Sequence, residues 1–276
     1  MRRGLLICAI AAASLATAAC GGGAANALQS VASAAEKTAG TDSVRFHLNL
    51  SESVGPIGPL TFTADGLSDN TAKAAEMTMD LSSVAAFAGS QAGSPDQWKA
   101  HFILDNGIFY MQLPALDRYL NGKTWVKADL NALAKEHGFD LSQLLQQAGS
   151  QDPTKALQAI ESVGNVTKVG TATIGGVDTT EYSGTIDVKK AAAALGPAYS
   201  KLLAEAKLTS IPVDVWVGDD GLVRRFHENF AYPLAGAGEL TTDLTMDLSD
   251  FGVQTNIQPP PADQTTDIGA LKGVSS

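Results

Sequence analysis

A β-hairpin is predicted by the sequence Ile211-Pro212-Val213-Asp214-Val215-Trp216-Val217-Gly218-Asp219-Asp220-Gly221-Leu222-Val223-Arg224-Arg225. Every second residue from Ile211 to Val217 is a branched apolar one, which is the period of a strand with one covered face. Asp219-Asp220-Gly221 supplies turn residues, and a second strand follows from Leu222. This segment therefore favours an antiparallel sheet.

The same period of two recurs on both sides of this hairpin and predicts about eleven strands in total. Between two of them lies Asn106-Gly107, a residue pair that strongly indicates a two-residue hairpin turn. The predicted strands are Val44–Ser51, Leu60–Ala64, Ala75–Leu81, Lys99–Leu104, Ile108–Leu113, Thr124–Ala128, Val166–Ile174, Val177–Ile186, Ile211–Val217, Leu222–Tyr232 and Leu240–Asp250.

Helical spacing occurs at the N-terminus, after the sixth strand and after the eighth strand. Since the strands alternate apolar and polar residues, one face of the sheet should be solvated and the other covered by these helices. The predicted fold is α+β, a single large curved antiparallel sheet that forms a U-shaped half-barrel with helices on its concave face. The predicted helices are Ala27–Ala39, Leu130–Glu136, Leu141–Ala148, Pro153–Ser162 and Val188–Lys207, the last interrupted at Gly196-Pro197.

The N-terminus has the order of an export signal, with cationic Arg2-Arg3, an apolar run from Gly4 to Ala18, and then Cys20. Thr17-Ala18-Ala19-Cys20 resembles the lipobox of bacterial lipoproteins, which implies that Cys20 becomes an N-terminus carrying acyl chains such as palmitate. An ordinary cleaved signal with an incidental cysteine and an uncleaved anchor are the alternatives. We expect a lipid-anchored protein on the extracytoplasmic face of the cell membrane.

These signals divide the chain into four parts. Residues 1–19 are expected to be the signal peptide, residues 20–26 a lipidated cysteine with a flexible tether, residues 27–258 the half-barrel domain, and residues 259–276 a disordered tail. After removal of Arg2 and Arg3, 17 Lys and Arg remain against 29 Asp and Glu, a net charge of −12. Such an acidic surface argues against nucleic-acid binding.

No catalytic or metal-binding motif is found in the sequence. His47, His101, His137 and His227 are isolated on predicted strands or helices, without the spacing of metal ligands. Nucleophile-elbow, phosphate-loop and dinucleotide-binding motifs are absent from the sequence, and Asp219-Asp220-Gly221 lacks the other ligands of a calcium loop. We therefore expect no enzyme activity, no cofactor and no metal site.

The predicted apolar face of the sheet is rich in Phe and Met, whereas sheet cores generally favour Val and Ile. Phe and Met form an adaptable surface that suits a hydrophobic ligand of irregular shape. The alternative is that these side chains only fill the core against the helices. The candidate residues lining a lipid cavity are Phe46, Leu48, Leu50, Phe62, Met77, Met79, Phe109, Met111, Val215, Trp216, Phe230, Leu244 and Met246.

A family resemblance rests on three features: the hairpin from Ile211 to Arg225, the lipobox at Cys20, and Thr41-Asp42-Ser43-Val44-Arg45-Phe46 leading into the first strand. Together they resemble the actinobacterial LppX/LprAFG lipoproteins, relatives of the LolA and LolB lipoprotein carriers, and the order of elements is similar from Ala27 to Gln258. The resemblance implies a half-barrel closed by helices around a hydrophobic cavity, with dispersed apolar ligand contacts and no catalytic residues.

Two functions are compatible with these observations. The first, which the resemblance implies, is a membrane-anchored lipoprotein that binds a lipid or glycolipid and carries or presents it across the cell envelope. The second is a non-catalytic envelope scaffold, interaction or sensing lipoprotein without a lipid cavity. In either case we expect a monomer that is attached to the plasma membrane through Cys20 and binds no nucleic acid.

Overall fold

In a computed structural model, the described residues form one open sheet of 12 strands in the order β12-β6-β5-β4-β3-β2-β1-β11-β10-β9-β8-β7. The structure describes residues 22–55, 58–85, 93–130, 132, 163–190, 209–234 and 238–269. All neighbouring strands are antiparallel except β12, which runs parallel to β6. The strands are β1 (Ser43–Val54), β2 (Pro59–Asp69), β3 (Ala74–Asp80), β4 (Lys99–Asp105), β5 (Ile108–Gln112), β6 (Trp125–Asp129), β7 (Val163–Ile174), β8 (Val177–Asp187), β9 (Ser210–Gly218), β10 (Val223–Leu234), β11 (Gly238–Ser249) and β12 (Thr265–Asp267).

All eleven predicted strands are confirmed as β1–β11, and the predicted single large sheet is confirmed with one strand more. The turn between β4 and β5 is formed as expected, because Asn106 and Gly107 have φ angles of +48° and +83°. The sheet is mixed rather than purely antiparallel, because β12, which was not predicted, pairs in parallel with β6.

The N-terminal helix α1 (Gly22–Ala39) packs against β7, β9 and β10. It begins before the predicted start at Ala27, so the expectation of a flexible tether is wrong from Gly22 onward; alanines at positions 24, 25 and 27 favour continuation of the helix. Its buried residues pack with strand valines and form a cluster beneath the helix. The members are Ala27, Val31, Ala34, Val166, Val213, Val215, Val217 and Val223.

The end of α1 is fixed to the predicted hairpin. The backbone N–H of Val223 donates to Thr38 Oγ1 (2.9 Å), and Lys37 Nζ donates to the carbonyl of Asp220 (2.5 Å). Asp220 also pairs with Arg224 at 2.5 Å, so the Asp-Asp-Gly segment is a hairpin turn that positions the helix. The hairpin from Ile211 to Arg225 thus connects the sheet to helix α1.

The C-terminal strap, residues 251–267, is ordered, and the expectation of disorder from residue 259 is therefore wrong for the described part of that tail. Ser43 Oγ donates to the carbonyl of Val253 (2.5 Å), and the strap then reaches the edge of the sheet as β12, paired with β6. Ile257 is buried, which supplies the hydrophobic contact that holds the strap down. Its partners Leu67, Ile103 and Trp125 are distant from the strap in sequence, so no local pattern indicated this contact.

Strand register defines two faces of the sheet, because directly paired residues lie on the same face. The apolar face carries Phe46, Gly66, Met77, Phe102, Met111 and Val126, one from each of β1–β6. The polar face carries Arg45, Leu67, Glu76, Ile103, Tyr110 and Lys127 in the adjacent row.

The expectation that one face is solvated throughout is wrong at β2–β6. On the polar face there, Leu67, Ile103 and Trp125 form a buried cluster with Ile257 of the C-terminal strap. Helix α1 packs over the opposite face at the other end of the sheet. Each face is therefore covered by a different terminal segment.

The helices predicted after the sixth and eighth strands fall almost entirely outside the described residues, as do Cys20, His137 and the predicted signal peptide. In the part of the chain that the structure describes, no helix is long and apolar enough to cross a bilayer.

Candidate functional site

The register brings most of the predicted lining residues together on the apolar face. Leu50 pairs with Phe62 and with Leu244, and Leu48 pairs with Met246. Twelve of the thirteen candidates lie on this face by register. They are Phe46, Leu48, Leu50, Phe62, Met77, Met79, Phe109, Met111, Val215, Phe230, Leu244 and Met246.

Trp216 was predicted as a lining residue, but it lies on the polar face. It pairs with Arg225, whereas its neighbour Val215 pairs with Phe226. Successive residues of a strand point to opposite faces, so Val215 and Trp216 cannot line one cavity. The Arg225 guanidinium lies 5.9 Å from the Trp216 ring centroid, a cation–π contact outside the apolar face.

Eleven of the twelve residues on the apolar face are half-buried, and only Val215 is buried. Val215 belongs to the core beneath α1 and is therefore a packing residue. The other eleven are partly withdrawn from water without being part of the two buried clusters. They lie on β10, β11, β1, β2, β3 and β5, and together with Phe102 of β4 they form a continuous strip across β10, β11 and β1–β5.

Gly66 gives this strip a close contact that a side chain would prevent. A Cβ atom at position 66 would lie 2.2 Å from Cζ of Phe46 and 2.7 Å from the carbonyl oxygen of Glu76. The Phe46 ring therefore lies directly over the glycine of the paired strand. This arrangement covers the backbone of β2 with an aromatic surface.

The sequence prediction missed several members of the strip. Phe102 pairs with Met77 and with Met111, and its ring stacks on Phe109 at a centroid distance of 5.7 Å. The alternation of Ala100, Phe102 and Leu104 in β4 already contained this signal. On β10, Phe230 stacks on Tyr232 at 6.3 Å, which extends the aromatic surface towards the strand end.

The apolar face also carries two carboxyl groups that were not predicted. Glu228 on β10 pairs with Leu244 and with Val213, and Glu52 on β1 pairs with Leu60 and with Thr242. Burial of Glu228 raises the pKa of its carboxyl group, an effect that the nearby His227 opposes.

The polar face has a different chemistry. A depression of about 430 Å³ there is lined mainly by charged and polar residues, among them Arg45, His47, Asp65, His101 and Asp247. Several of its charges are paired: His47 Nδ1 lies 2.7 Å from Asp65, and Arg225 binds Asp247 through two contacts of 2.5 and 2.7 Å. Phe46, Leu67 and Met77 also line this depression, but they lie among charged groups that an acyl chain would have to desolvate.

The remaining histidines also have identified neighbours. His227 lies 3.5 Å from Asp214 and 3.6 Å from Asp243, and His101 contacts the Trp125 ring edge-on at 5.2 Å. Within the described ranges, no group of three or more His, Cys, Asp or Glu residues is arranged to hold a metal ion. We therefore place the candidate site on the apolar face.

Comparison with known proteins gives one family and a common fold. A model of the LppX_LprAFG lipoprotein family matches residues 24–257. A relative from Streptomyces griseus, described as an uncharacterized 31.2 kDa protein in the rplA-rplJ intergenic region, is 28% identical over 204 residues. That match includes 67% of this chain and spans only 64% of the relative.

Two solved structures are similar over most of the chain. The lipoprotein LppX of Mycobacterium tuberculosis is 18% identical with a TM-score of 0.50, covering 85% of this chain and 99% of LppX. LprF from Mycobacterium bovis is 17% identical with a TM-score of 0.47, covering 86% of this chain and 97% of LprF. At this identity, the likeness to LppX is one of fold.

Proposed function

The chain belongs to the LppX/LprAFG lipoprotein family, and on that premise we propose that it binds a lipid or glycolipid on the apolar face of its sheet and carries or presents it across the cell envelope. In this proposal, Cys20 anchors the protein to the extracytoplasmic face of the plasma membrane through its acyl chains. The protein acts by binding rather than by catalysis.

The half-buried strip of Phe, Met and Leu on the apolar face carries the proposal. It extends over seven neighbouring strands, β5-β4-β3-β2-β1-β11-β10, and its residues are aligned by register. An acyl chain that leaves water for such a surface gains about 0.8 kcal/mol for each buried CH₂ group. Unbranched Met side chains adapt to chains of different shape, which suits a lipid better than a rigid ligand.

Lipid binding is tested with a matched pair of variants at adjacent positions. Met77→Gln keeps the length of the side chain on the apolar face but makes it polar, and Thr78→Gln places the same group on the exposed, polar face. In a chain carrying Cys20→Ala, we expect Met77→Gln to weaken binding of a fluorescent acyl probe by about fivefold to tenfold. Thr78→Gln should leave the affinity unchanged.

The same Cys20→Ala protein, purified from its bacterial host, is analysed by native mass spectrometry and lipid extraction. Co-purified lipid together with probe binding supports the carrier function. If neither lipid nor probe binds, the lipid-carrier function is wrong and an envelope scaffold without a lipid site replaces it.

A further inference from the structure

Glu228 occupies an unusual position in the proposed lipid site. It lies on β10 between Phe226 and Phe230 of the same face, and the residues paired with it on either side are Leu244 and Val213. The side chain is half-buried. A carboxyl group in such surroundings loses hydration and needs a hydrogen-bond donor to replace it.

The described part of the chain supplies no such donor. No hydrogen bond or ion pair joins the Glu228 carboxyl to another described residue. His227 opposes the rise in the pKa of Glu228, but its side chain lies on the polar face, where it contacts Asp214 and Asp243. Among the described residues, none therefore donates to the carboxyl oxygens of Glu228, and a ligand on the apolar face can do so.

On the strands that carry the strip, the charges of the apolar face have one sign; Lys168, which is on this face by its pairing with Tyr182, lies on β7 at the far edge of the sheet. Among the paired residues of β1–β6, β10 and β11, this face carries Glu52 and Glu228 and no lysine or arginine. Glu52 lies in the register row next to that of Glu228, since its partner Thr242 pairs with Phe230. An anionic lipid group on this surface would meet like charge at reduced dielectric and without a counter-ion.

We propose that Glu228 is a specificity-determining residue of the lipid site, which accepts a hydrogen bond from a hydroxyl group of an uncharged lipid and disfavours lipids with an anionic group. This inference rests on the proposed function. A hydroxyl group donates to a carboxylate, and such charge-assisted bonds are stronger than neutral ones. A hydroxylated lipid would also supply the Glu228 carboxyl group with the hydrogen-bond donor that the described residues do not provide.

Three probes of equal chain length separate these contributions: a fatty alcohol, the corresponding fatty acid and its methyl ester. Each competes with a fluorescent hydrocarbon probe for the Cys20→Ala chain at alkaline pH. We expect the alcohol to bind roughly tenfold more tightly than the acid and severalfold more tightly than the ester. Glu228→Gln keeps an acceptor and removes the charge, so it should strengthen binding of the acid several-fold and weaken binding of the alcohol modestly, because the hydrogen bond is then a neutral one.

Two further variants complete the test. Glu228→Leu removes the acceptor as well, so the alcohol should lose its advantage over the ester. Glu239→Gln changes the same charge at an exposed position on β11 and should behave as the wild type. If the probes bind but Glu228→Gln leaves the ratio of acid to alcohol affinity unaltered, this inference is wrong while the lipid-binding function stands. If the hydrocarbon probe itself does not bind, the proposed function fails and this inference fails with it.

Discussion

At the scale of single residues, Glu228 links the chemistry of the apolar face to stability. Burial raises the pKa of its carboxyl group above the ordinary value of 4.5. Between pH 4.5 and the raised pKa of the folded state, the folded protein binds more protons than the unfolded chain. The free energy of unfolding therefore falls as the pH rises through this window. Below the window the carboxyl is neutral in both states, and its contribution to the pH dependence disappears.

Glu228→Gln should therefore have little effect on the melting temperature near pH ~4 and should raise it by a few degrees near pH ~7. The amide fills the same volume but cannot ionise in the apolar surroundings. Thermal unfolding followed by circular dichroism over this pH range measures the difference. Glu239→Gln, on the exposed part of β11, is the control and should show no such trend. A constant difference between Glu228→Gln and wild type across the range would contradict the assignment.

Individual residues were predictable where a local pattern determined them. The alternation along β1 was sufficient to place Phe46, Leu48 and Leu50 on one face. Trp216 was misplaced: its ring is large and apolar, but it lies between Val215 and Val217 and therefore points to the opposite face of the strand. Its contact with Arg225 depends on the register between β9 and β10, and nothing in the local sequence specifies that partner.

At the scale of elements, α1 packs against the valines of β9 and β10 through the small side chains of Ala27 and Ala34 together with Val31. Ala34 is 2% exposed within this cluster, whereas its neighbour Ser33 points to solvent. Small side chains allow the helix axis to approach the sheet closely. Any enlargement at position 34 has to move the helix or the strands beneath it.

Ala34→Leu should lower the free energy of unfolding by about 1–3 kcal/mol, because the added methyl groups overpack the cluster beneath α1. Ser33→Leu introduces the same side chain one residue away on the exposed side and should change stability by less than about 0.5 kcal/mol. Chemical denaturation of both variants measures the difference. Equal effects of the two substitutions would show that α1 is not packed through Ala34.

Strands were predicted better than the terminal segments, and the reason is physical. A strand's period of two and its turn residues are encoded within about ten residues, so β1–β11 could be identified singly. The C-terminal strap has no regular period; its order depends on Ile257 meeting Leu67 and Trp125, which are distant in sequence. The proline-rich composition of this segment suggested disorder. That prediction failed because composition does not reveal tertiary contacts of this kind.

At the scale of the whole molecule, the two termini stabilise opposite faces at opposite ends of an open sheet. Helix α1 covers the apolar face over β7–β10, and the C-terminal strap covers the polar face over β2–β6. The strip proposed to bind lipid lies on the apolar face from β10 to β5, next to the cluster beneath α1 and on the face opposite the strap. Neither terminal cover extends its buried cluster over the strip, so lipid binding and sheet stability depend on largely separate sets of residues.

The C-terminal strap also protects an edge. β12 pairs with β6, Lys123 Nζ donates to the carbonyl of Asp263 (2.5 Å), and the N–H of Thr124 donates to the carbonyl of Gln264 (3.1 Å). Deleting residues 262–276 removes these bonds and leaves the backbone of β6 unpaired on one side. Unpaired strand edges promote association between chains.

Deletion of residues 262–276 should therefore lower the free energy of unfolding by about 1–3 kcal/mol and produce concentration-dependent association. Deletion of residues 270–276 removes none of these contacts and is the matched control, expected to remain near wild type. Denaturation and size-exclusion chromatography over a range of protein concentrations measure the two effects. Because the deleted strand lies away from the apolar strip, binding of the acyl probe should persist in the monomeric fraction of the longer deletion. Loss of probe binding in that fraction, with the fold retained, would show that the strap contributes to the lipid site as well as to the edge.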